Sequence, residues 1–353
     1  MSMQNREIKL LWRIRAAWIA GLFVLPIGAC AERAYVSNED GETVTVIDAA
    51  KSEAVATIAV GKRPRGLKLN KDGSRLYVAV SGLPKCPPSV PDEECAKLER
   101  DLKADGIAVI DTTSLKLRTL LKAGSDPERF DISADGGLLF VTNEDAAKTS
   151  VVDAHSGAIK AQITVGQEPE GVSVSPNGKW VLVTNESANA VSVIDAHTFK
   201  VLRSVPVGKR PRDTAFTPDS RTAYVSGEFD ASLYRVAVPD GAPVERWVEF
   251  RKEARPMAVV LDAPRQRLYV STGRGGTVAV VSLAGKLIAE VPVGARPWGI
   301  AMSADGSKLY TANGPSNDVS VLDTASLKVL KRIPVGKSPW GVAMGPTPSV
   351  SKP

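Results

Sequence analysis

The sequence predicts an all-β protein, a seven-bladed β-propeller built from four-stranded antiparallel blades. The first observation behind this prediction is a phrase that recurs seven times and begins at Tyr35, Tyr77, Phe140, Leu182, Tyr224, Tyr269 and Tyr310. The second is the spacing of these starts, 42, 63, 42, 42, 45 and 41 residues, which indicates one module of about 42 residues with a single insertion. The third is the alternation of apolar and polar residues between glycine-containing turns, which is typical of short strands joined by hairpins.

Four strands per module over seven modules is the arrangement of a propeller. In the fourth module the strands are predicted at 171–175, 180–185, 190–195 and 200–207. The chain enters the first blade at its second strand, with Tyr35, and ends with a first-strand sequence at Gly341–Met344. We therefore predict that the C-terminal strand pairs with the N-terminal blade and closes the ring. The propeller is expected to occupy residues 32–346, followed by a disordered tail at 347–353.

The first 31 residues are predicted to be an export signal. They are basic up to residue 15 and apolar from residue 16 to residue 27, and small residues follow, as in a secretory signal peptide. Two processing routes stay open. The segment Ala29-Cys30-Ala31 fits cleavage before Glu32, whereas the segment ending at Cys30 resembles a lipobox, which would make Cys30 a lipidated first residue. Either route predicts a periplasmic protein whose membrane contact is limited to a lipid on Cys30.

An insertion at 83–105 separates the second and third strands of the second blade. It contains Cys86 and Cys95, which an exported chain most simply joins as a disulfide. A metal site at this pair is not expected, because no histidine lies near it. A short helix is expected with Asp92, Glu93 and Glu94 near its start, where they suit the helix dipole, and with Cys95, Leu98 and Leu102 on one face. The resulting flap either covers the mouth of the propeller or binds a partner, or it is a neutral surface elaboration.

The charge of the chain argues against nucleic-acid binding. Lys and Arg total 45 against 39 Asp and Glu, and the predicted signal alone carries +3 of the net +6. Phosphate backbones need clustered cations rather than such a small excess. The chain also lacks a C-x-x-C-H haem attachment motif, a glycine-rich phosphate loop and a G-x-S-x-G motif. Its two histidines, His155 and His197, occupy equivalent hairpins and are assigned to turns rather than to catalysis.

Short phrases in the repeats resemble those of a known family. The strand phrases YVSN, FVTN, LVTN and YTAN occur together with the corner phrases VGKRP, VGQEP, VGARP and VGKSP. Over nearly all of residues 33–346 the chain resembles the YVTN-repeat β-propeller family, and within it the exported propellers associated with pyrroloquinoline quinone (PQQ)-dependent catabolism. The resemblance implies a periplasmic, non-enzymatic binding or scaffold accessory of quinoprotein alcohol oxidation. It also implies a protein partner from an oxidation or transport system and PQQ as a candidate ligand; we expect a monomer without a firmly bound cofactor or metal.

The binding face of such a ring is the face that gathers the proline corners. If the modules are equivalent, the residue after each corner points toward the channel mouth; in blade order these residues are Trp340, Arg65, Glu128, Glu170, Arg212, Met257 and Trp298. Trp298, Trp340 and Arg65 then form an aromatic and basic arc, and Arg296 in the last corner is a further candidate. This arc suits a flat anionic ligand such as a quinone with carboxylates. The alternative is that both indoles only pack the corners of their blades.

Acidic residues on the same face keep other functions open. Glu128 and Glu170 form a separate acidic arc, which an enzyme of the lactonase or hydrolase kind could use. A carrier or sensor of a small molecule is the other alternative. A further set of polar residues follows the second strands and is assigned to turn chemistry: Asn38, Glu39, Asn143, Glu144, Asn185, Glu186, Glu228 and Asn313.

Overall fold

Seven four-stranded antiparallel sheets make up the described part of the chain, which in the computed structural model is residues 32–85, 90, 92–95 and 97–348. The predicted signal with Cys30, the first cysteine of the flap, Cys86, and the tail from residue 349 lie outside the described residues, as does the side chain of Cys95. Lipidation and the disulfide therefore stay predictions.

The described residues contain 28 strands, one α-helix and three 3-10 turns. The strands of the first half are β1 (Glu32–Asn38), β2 (Thr43–Asp48), β3 (Glu53–Ala59), β4 (Leu67–Leu69), β5 (Arg75–Val80), β6 (Gly106–Asp111), β7 (Lys116–Leu121), β8 (Pro127–Ile132), β9 (Leu138–Asn143), β10 (Lys148–Asp153), β11 (Ile159–Thr164), β12 (Pro169–Val174), β13 (Trp180–Asn185) and β14 (Ala190–Asp195). Those of the second half are β15 (Val201–Pro206), β16 (Pro211–Phe216), β17 (Thr222–Gly227), β18 (Ser232–Ala237), β19 (Val244–Glu249), β20 (Val259–Asp262), β21 (Arg267–Ser271), β22 (Thr277–Ser282), β23 (Leu287–Pro292), β24 (Pro297–Met302), β25 (Lys308–Asn313), β26 (Asp318–Asp323), β27 (Lys328–Pro334) and β28 (Pro339–Pro346). Helix α1 is Asp92–Cys95, and the 3-10 turns are Glu39–Gly41, Glu144–Ala146 and Gly273–Gly275.

Six sheets each take four consecutive strands, from β4–β7 to β24–β27. The remaining sheet has the order β28-β1-β2-β3, so the last described strand pairs with the first. This pairing is antiparallel, with Tyr35 opposite Ala343. The first strands of neighbouring blades, such as β8 with β12 and β24 with β28, contact one another around the centre. The predicted fold class, a seven-bladed propeller, is confirmed.

The apolar core is divided among the spaces between neighbouring blades. One cluster joins Tyr77 and Val109 of the second blade to Leu139 and Val141 of the third, all of them buried. Each such side chain contributes roughly 1.5–3 kcal/mol when it is removed from water. Because a blade buries both of its faces in this way, its middle strands are apolar on both sides, and contact between blades holds the ring together.

The innermost strands approach one another too closely for side chains at some positions. A Cβ on Gly299 of β24 would lie 2.8 Å from the carbonyl oxygen of Trp340, and one on Gly341 of β28 would lie 2.9 Å from that of Arg65. Glycine removes this obstacle, so the backbones of neighbouring blades come together below the corners.

The insertion in the second blade departs from its predicted form. Helix α1 covers only Asp92–Cys95, and Leu98 and Leu102 are 44% and 65% exposed. The expected apolar helix face is wrong, because the chain returns to the propeller instead of continuing the helix: the amide of Asp101 donates to the carbonyl oxygen of Gly82 at 3.1 Å. Among the described residues, no helix has the length and apolarity needed to span a bilayer.

Candidate functional site

The mouth of the propeller is built by the proline corners, where one blade ends and the next begins. In six corners the residue before proline has a left-handed backbone, with φ between 42° and 56°: Arg63, Asp126, Glu168, Arg210, Arg296 and Ser338. A non-glycine residue in this conformation costs roughly 1–3 kcal/mol and persists where the surrounding structure enforces it. The repeated turn thus holds a charged or polar residue at the same place in successive blades.

A cavity of about 300 Å³ opens at these corners. Six of the sequence-predicted site residues line it: Arg65, Glu128, Arg212, Arg296, Trp298 and Trp340. Glu170 does not line the cavity but contacts Arg212, which does. Met257, the remaining residue that follows a corner, is buried and does not line it either. The equivalence of the modules therefore brings most of the predicted residues together.

Arg65 lies at the centre of a buried charge network between the second and third blades. Its Nη2 donates to Asp126 Oδ1 at 2.6 Å and to the carbonyl oxygen of Pro127 at 3.0 Å, and its Nη1 contacts Glu128 and Glu144. Glu128, which the sequence assigns to an acidic arc, is therefore an ion-pair partner of its neighbour Arg65, because a buried charge needs a partner. Burial lowers the pKa of Arg65, but Glu128 and Asp126 outweigh it and hold the pKa above its ordinary value.

Glu128 and Glu144 form a carboxyl pair in which Glu128 is buried and the side chain of Glu144 is 31% exposed. Both contact Nη1 of Arg65, and they hydrogen-bond to each other. Burial raises the pKa of Glu128 well above its ordinary value; Arg65 opposes this shift, and the charge of Glu144 adds to it. Burial also raises the pKa of Glu144. Because two adjacent carboxylates repel, the pair retains a proton at a pH where isolated glutamates are ionised.

A second network surrounds Arg212, between the fourth and fifth blades. Its Nη1 contacts Glu170 and Glu186, and its Nε lies 2.7 Å from Glu228 Oε2. Arg210 at the rim adds a second cation, with Nε 2.6 Å from Glu186 Oε2. Burial lowers the pKa of Arg212, but Glu170 and Glu228 outweigh it and hold the pKa above its ordinary value. Glu170, predicted as part of an acidic arc, is thus a structural partner of Arg212.

Trp298 and Trp340 lie against each other, with ring centroids 5.4 Å apart and planes inclined by 37°. The guanidinium of Arg129 lies 4.7 Å from the ring centroid of Trp340, which is only 5% exposed. The guanidinium of Arg296 lies 5.0 Å from the ring centroid of Trp298. Trp340 therefore packs its corner, whereas the half-buried Trp298 is the indole that a ligand can reach.

An ion pair crosses the channel beneath the two indoles. Arg129 Nη1 lies 3.2 Å from Asp213 Oδ1 and so joins the inner strands of the third and fifth blades. Burial raises the pKa of Asp213, and Arg129 opposes this shift. Together with Trp340, the pair lines a separate small space of about 110 Å³ and does not line the mouth cavity.

Arg296 is the one lining cation that has no ion pair among the described residues. Each of the other five, Arg63, Arg65, Lys85, Arg210 and Arg212, has a carboxylate partner. Burial lowers the pKa of Arg296; the charge of Glu228 opposes this shift, and the charges of Arg274 and Arg212 add to it. The blade of Arg296 has Gly314 at the position where four other blades carry a glutamate. An anion that enters the cavity would therefore meet Arg296 beside Trp298.

Four glutamates that the sequence reasoning assigned to turns belong to this site: Glu39, Glu144, Glu186 and Glu228. Each contacts an arginine and comes four residues after the start of its repeat phrase. This position holds Ser81 in the second blade and glycine in the last two. This change from glutamate to glycine at one repeat position is the sequence signal that could have identified the four glutamates as part of the site. The asparagines do serve local structure; Asn38 Nδ2, for example, donates to Thr45 Oγ1 at 3.0 Å.

The histidines lie away from the site. His155 and His197 are exposed in the β10–β11 and β14–β15 hairpins, where their amides donate to Asp153 Oδ1 at 3.1 Å and to Asp195 Oδ1 at 3.0 Å. These are the turn contacts that the sequence predicts. In the part of the chain that the structure describes, no group of three or more His, Cys, Asp or Glu side chains could hold a metal ion.

Together these features define a class of protein, a seven-bladed propeller whose mouth carries a charged pocket with one accessible indole. A family model described as Cytochrome D1 heme domain matches residues 98–231, a little more than a third of the chain. The matched segment includes the third and fourth blades and therefore the Glu128–Glu144 pair.

Particular relatives are similar to part or most of the chain. Antigen Lp49 of Leptospira interrogans is 28% identical over 116 residues, which are 33% of this chain and 24% of that protein, so the match spans about a quarter of the relative. A hydrazine synthase structure from Kuenenia stuttgartiensis has a TM-score of 0.70 at 21% identity and covers 82% of this chain and 92% of that chain. A functionally unknown protein from Desulfotomaculum acetoxidans gives 0.72 at 17%, over 88% and 98%. A Bacteroides uniformis protein provisionally described as a 6-phosphogluconolactonase gives 0.70 at 18%, over 90% and 100%. At these identities the structural likeness shows the fold alone.

Proposed function

We propose that this chain is a binding protein for a small, planar, singly charged anion, which it holds in the mouth cavity without transforming it. The observation that carries the proposal is the unpaired Arg296 next to the accessible indole of Trp298. An aromatic carboxylate would stack on the indole and accept hydrogen bonds from the guanidinium. The cavity volume of about 300 Å³ lies at the lower end of the range for small-molecule sites, which begins at about 300 Å³.

The charge balance of the cavity limits the ligand to one negative charge. Five of the six lining cations already have carboxylate partners, which leaves one guanidinium for a ligand. A quinone with several carboxylates, as PQQ is, would bring further charges close to Glu39 and Glu144. The residues present therefore do not fit PQQ, although a quinone-type molecule with a single carboxylate fits.

The match to a haem-domain family raises the question of whether the mouth cavity could hold haem. Haem iron in proteins is held by His, Cys, Met or Tyr side chains. None of these types lines the cavity among the described residues, and both histidines lie in turns at the other end of the strands. The residues of the mouth therefore do not fit haem either.

A periplasmic role beside alcohol oxidation agrees with this class of ligand. Oxidation of an aromatic alcohol ends in an aromatic carboxylate, which is a planar anion with one charge. The resemblance to exported propellers of PQQ-dependent catabolism supports the same setting, with an oxidation or transport system as the partner. In this proposal the chain is an accessory that carries or senses an oxidation product.

Fluorescence titration tests the proposal. The probe is 4-nitrobenzoate, a planar monoanion that quenches indole emission, and 4-nitrobenzamide is its uncharged counterpart. We expect saturable quenching by the anion and an affinity loss of about tenfold or more in Arg296→Gln, because a hydrogen bond to a charged group is lost. Arg274→Gln is the matched control, since it removes an exposed arginine of the neighbouring blade that does not line the cavity. Equal affinities for the two probes, or equal losses in the two variants, would overturn the proposal.

The Glu128–Glu144 pair favours a second candidate function, acid–base catalysis of lactone hydrolysis. A carboxyl whose pKa is raised by burial, as at Glu128, can act as a general acid, and an ionised partner can act as a base toward water. The test is hydrolysis of an aliphatic lactone, followed by acid release, for the wild-type protein and Glu128→Gln. A wild-type rate above background that this variant loses would replace the binding proposal.

A further inference from the structure

On the face of the propeller opposite the mouth, a side-chain hydrogen bond links some blades to the next blade. In three blades a cationic side chain near the start of the second strand donates to a carbonyl oxygen of the next blade: Arg33 to Thr112 and Arg267 to Thr324, both at 3.0 Å, and Lys308 to Ala49 at 3.2 Å. Arg75 occupies the same repeat position in the second blade, and the equivalent acceptor is the carbonyl oxygen of Ala154. The amide of Arg75 donates to Asn70 Oδ1, but its guanidinium has no hydrogen bond or ion pair with any described residue.

A cavity of about 380 Å³ lies where this bond is missing, between the second and third blades. Its wall is aliphatic and its rim is polar: Val109, Leu121 and Ala154 form the wall, and Arg75, Arg118 and His155 lie at the rim. Arg118 Nη2 is 2.7 Å from Asp111 Oδ2, so these two charges compensate each other. Arg75 is therefore the rim cation that forms no ion pair with a carboxylate of the described residues.

The repeat shows why this space is open. Gly157 and Phe199 occupy the same position of the β10–β11 and β14–β15 hairpins, two residues after His155 and His197. In the fourth blade the ring of Phe199 packs against Phe140 of the third blade, at a centroid distance of 6.2 Å. Gly157 lies against Leu121 of the second blade, since a Cβ on it would be 3.1 Å from Leu121 Cδ2, and it brings no aromatic ring to this space.

We propose that this cavity binds an aliphatic monocarboxylate of medium chain length. The carboxylate would accept hydrogen bonds from two N–H groups of the Arg75 guanidinium, and the ring of His155 would lie beside it. The alkyl chain would lie against the side chains of Val109, Leu121 and Ala154, which are themselves largely buried, and its own removal from water would favour this contact. The site is separate from the mouth, and its existence does not depend on the function proposed above.

Calorimetric titration of the full chain with octanoate tests this inference. Acetate supplies the charge without the chain, and 1-octanol supplies the chain without the charge. We expect octanoate to bind at one site and both comparison molecules to bind at least about tenfold more weakly, because each lacks one half of the contact. Arg75→Gln should weaken octanoate binding by about tenfold. Arg267→Gln is its matched control, because that arginine has the same repeat position and already donates to Thr324.

Three further variants separate a ligand contact from a general effect. His155→Ala should weaken octanoate binding, whereas His197→Ala, at the equivalent turn of the fourth blade, should not. Arg296→Gln should leave octanoate affinity unchanged, because it alters only the mouth. Equal losses in the two arginine variants, equal losses in the two histidine variants, or loss of the signal in Arg296→Gln would each overturn the inference. Melting temperatures of all variants show whether any loss reflects unfolding.

Discussion

Replacing Arg212 by methionine is expected to destabilise the propeller strongly. Methionine has a similar length but no charge, so Glu170, Glu186 and Glu228 would face one another without their shared partner. The side chains of Glu170 and Glu186 are 1% exposed, so water cannot replace the guanidinium. Removing one partner of a buried ion pair costs about 3–5 kcal/mol. Glu186 and Glu228 keep Arg210 at 2.6 Å and 3.4 Å, whereas Glu170 loses its ion-pair partner, so the cost should fall within this range.

The assay is urea unfolding followed by circular dichroism near pH 7.5 and near pH 5. In the folded variant the buried carboxylates have lost their shared cation, and protonation would remove an uncompensated buried charge. The variant's deficit in the free energy of unfolding should therefore shrink as the pH falls toward 5. Arg210→Met is the control: it removes a cation from the same Glu186, but at a side chain that is 36% exposed, and should cost about 1 kcal/mol or less.

Two results would refute this reasoning. One is a free energy of unfolding for Arg212→Met within about 1 kcal/mol of the wild-type value near pH 7.5, which is the range of an exposed pair. The other is a deficit of the same size at both pH values, which would mean that the loss comes from packing rather than from uncompensated charge.

Three further predictions concern the carboxyl pair, the inner strands and the terminal strand. Burial raises the pKa of Glu128 above its ordinary 4.5, so the folded protein holds a proton that the unfolded chain releases, and the free energy of unfolding falls as the pH rises above 4.5. Glu128→Gln should reduce this dependence of stability on pH, measured in melting curves from about pH 4.5 to 8. Gly299→Ala places a Cβ 2.8 Å from the carbonyl oxygen of Trp340 and should lower the free energy of unfolding in urea by about 1–3 kcal/mol. A chain ending at Ser338 lacks β28, which exposes the edge of β1, and should elute as aggregates in size-exclusion chromatography.

Different results would contradict each of these. An unchanged pH slope in Glu128→Gln would mean that the retained proton lies elsewhere. A wild-type free energy of unfolding for Gly299→Ala would mean that β24 and β28 can separate at little cost. A monomeric, cooperatively unfolding truncation would mean that the ring does not need its last strand.

The fold could be predicted from the sequence because the repeat carries redundant information. Seven copies of one phrase at a nearly constant spacing fix the number of blades, and the alternation within each copy fixes the strands; β13 and β14 begin and end where they were expected. The insertion has no second copy to compare with. Its helix therefore had to be inferred from spacing alone, and Leu98 and Leu102 are exposed beyond the end of α1 instead of forming one of its faces.

The candidate site could be predicted only in part. Module equivalence brings Trp298 next to Trp340 and Arg65 next to Glu128, because residues after successive corners are neighbours. The sequence does not tell which of these charges are buried, and burial decides that Arg65 pairs with Glu128 instead of facing a ligand. Arg296 is left free to bind an anion because the other lining cations pair with carboxylates, some of them on a neighbouring blade, and no single repeat shows this pairing.

The most direct test of the mouth as an anion site is a crystal structure of the protein with 4-nitrobenzoate. The account predicts electron density for the ring against Trp298, with the carboxylate at the guanidinium of Arg296. Density at another place, or a carboxylate that faces the Glu128–Glu144 pair instead of Arg296, would contradict it.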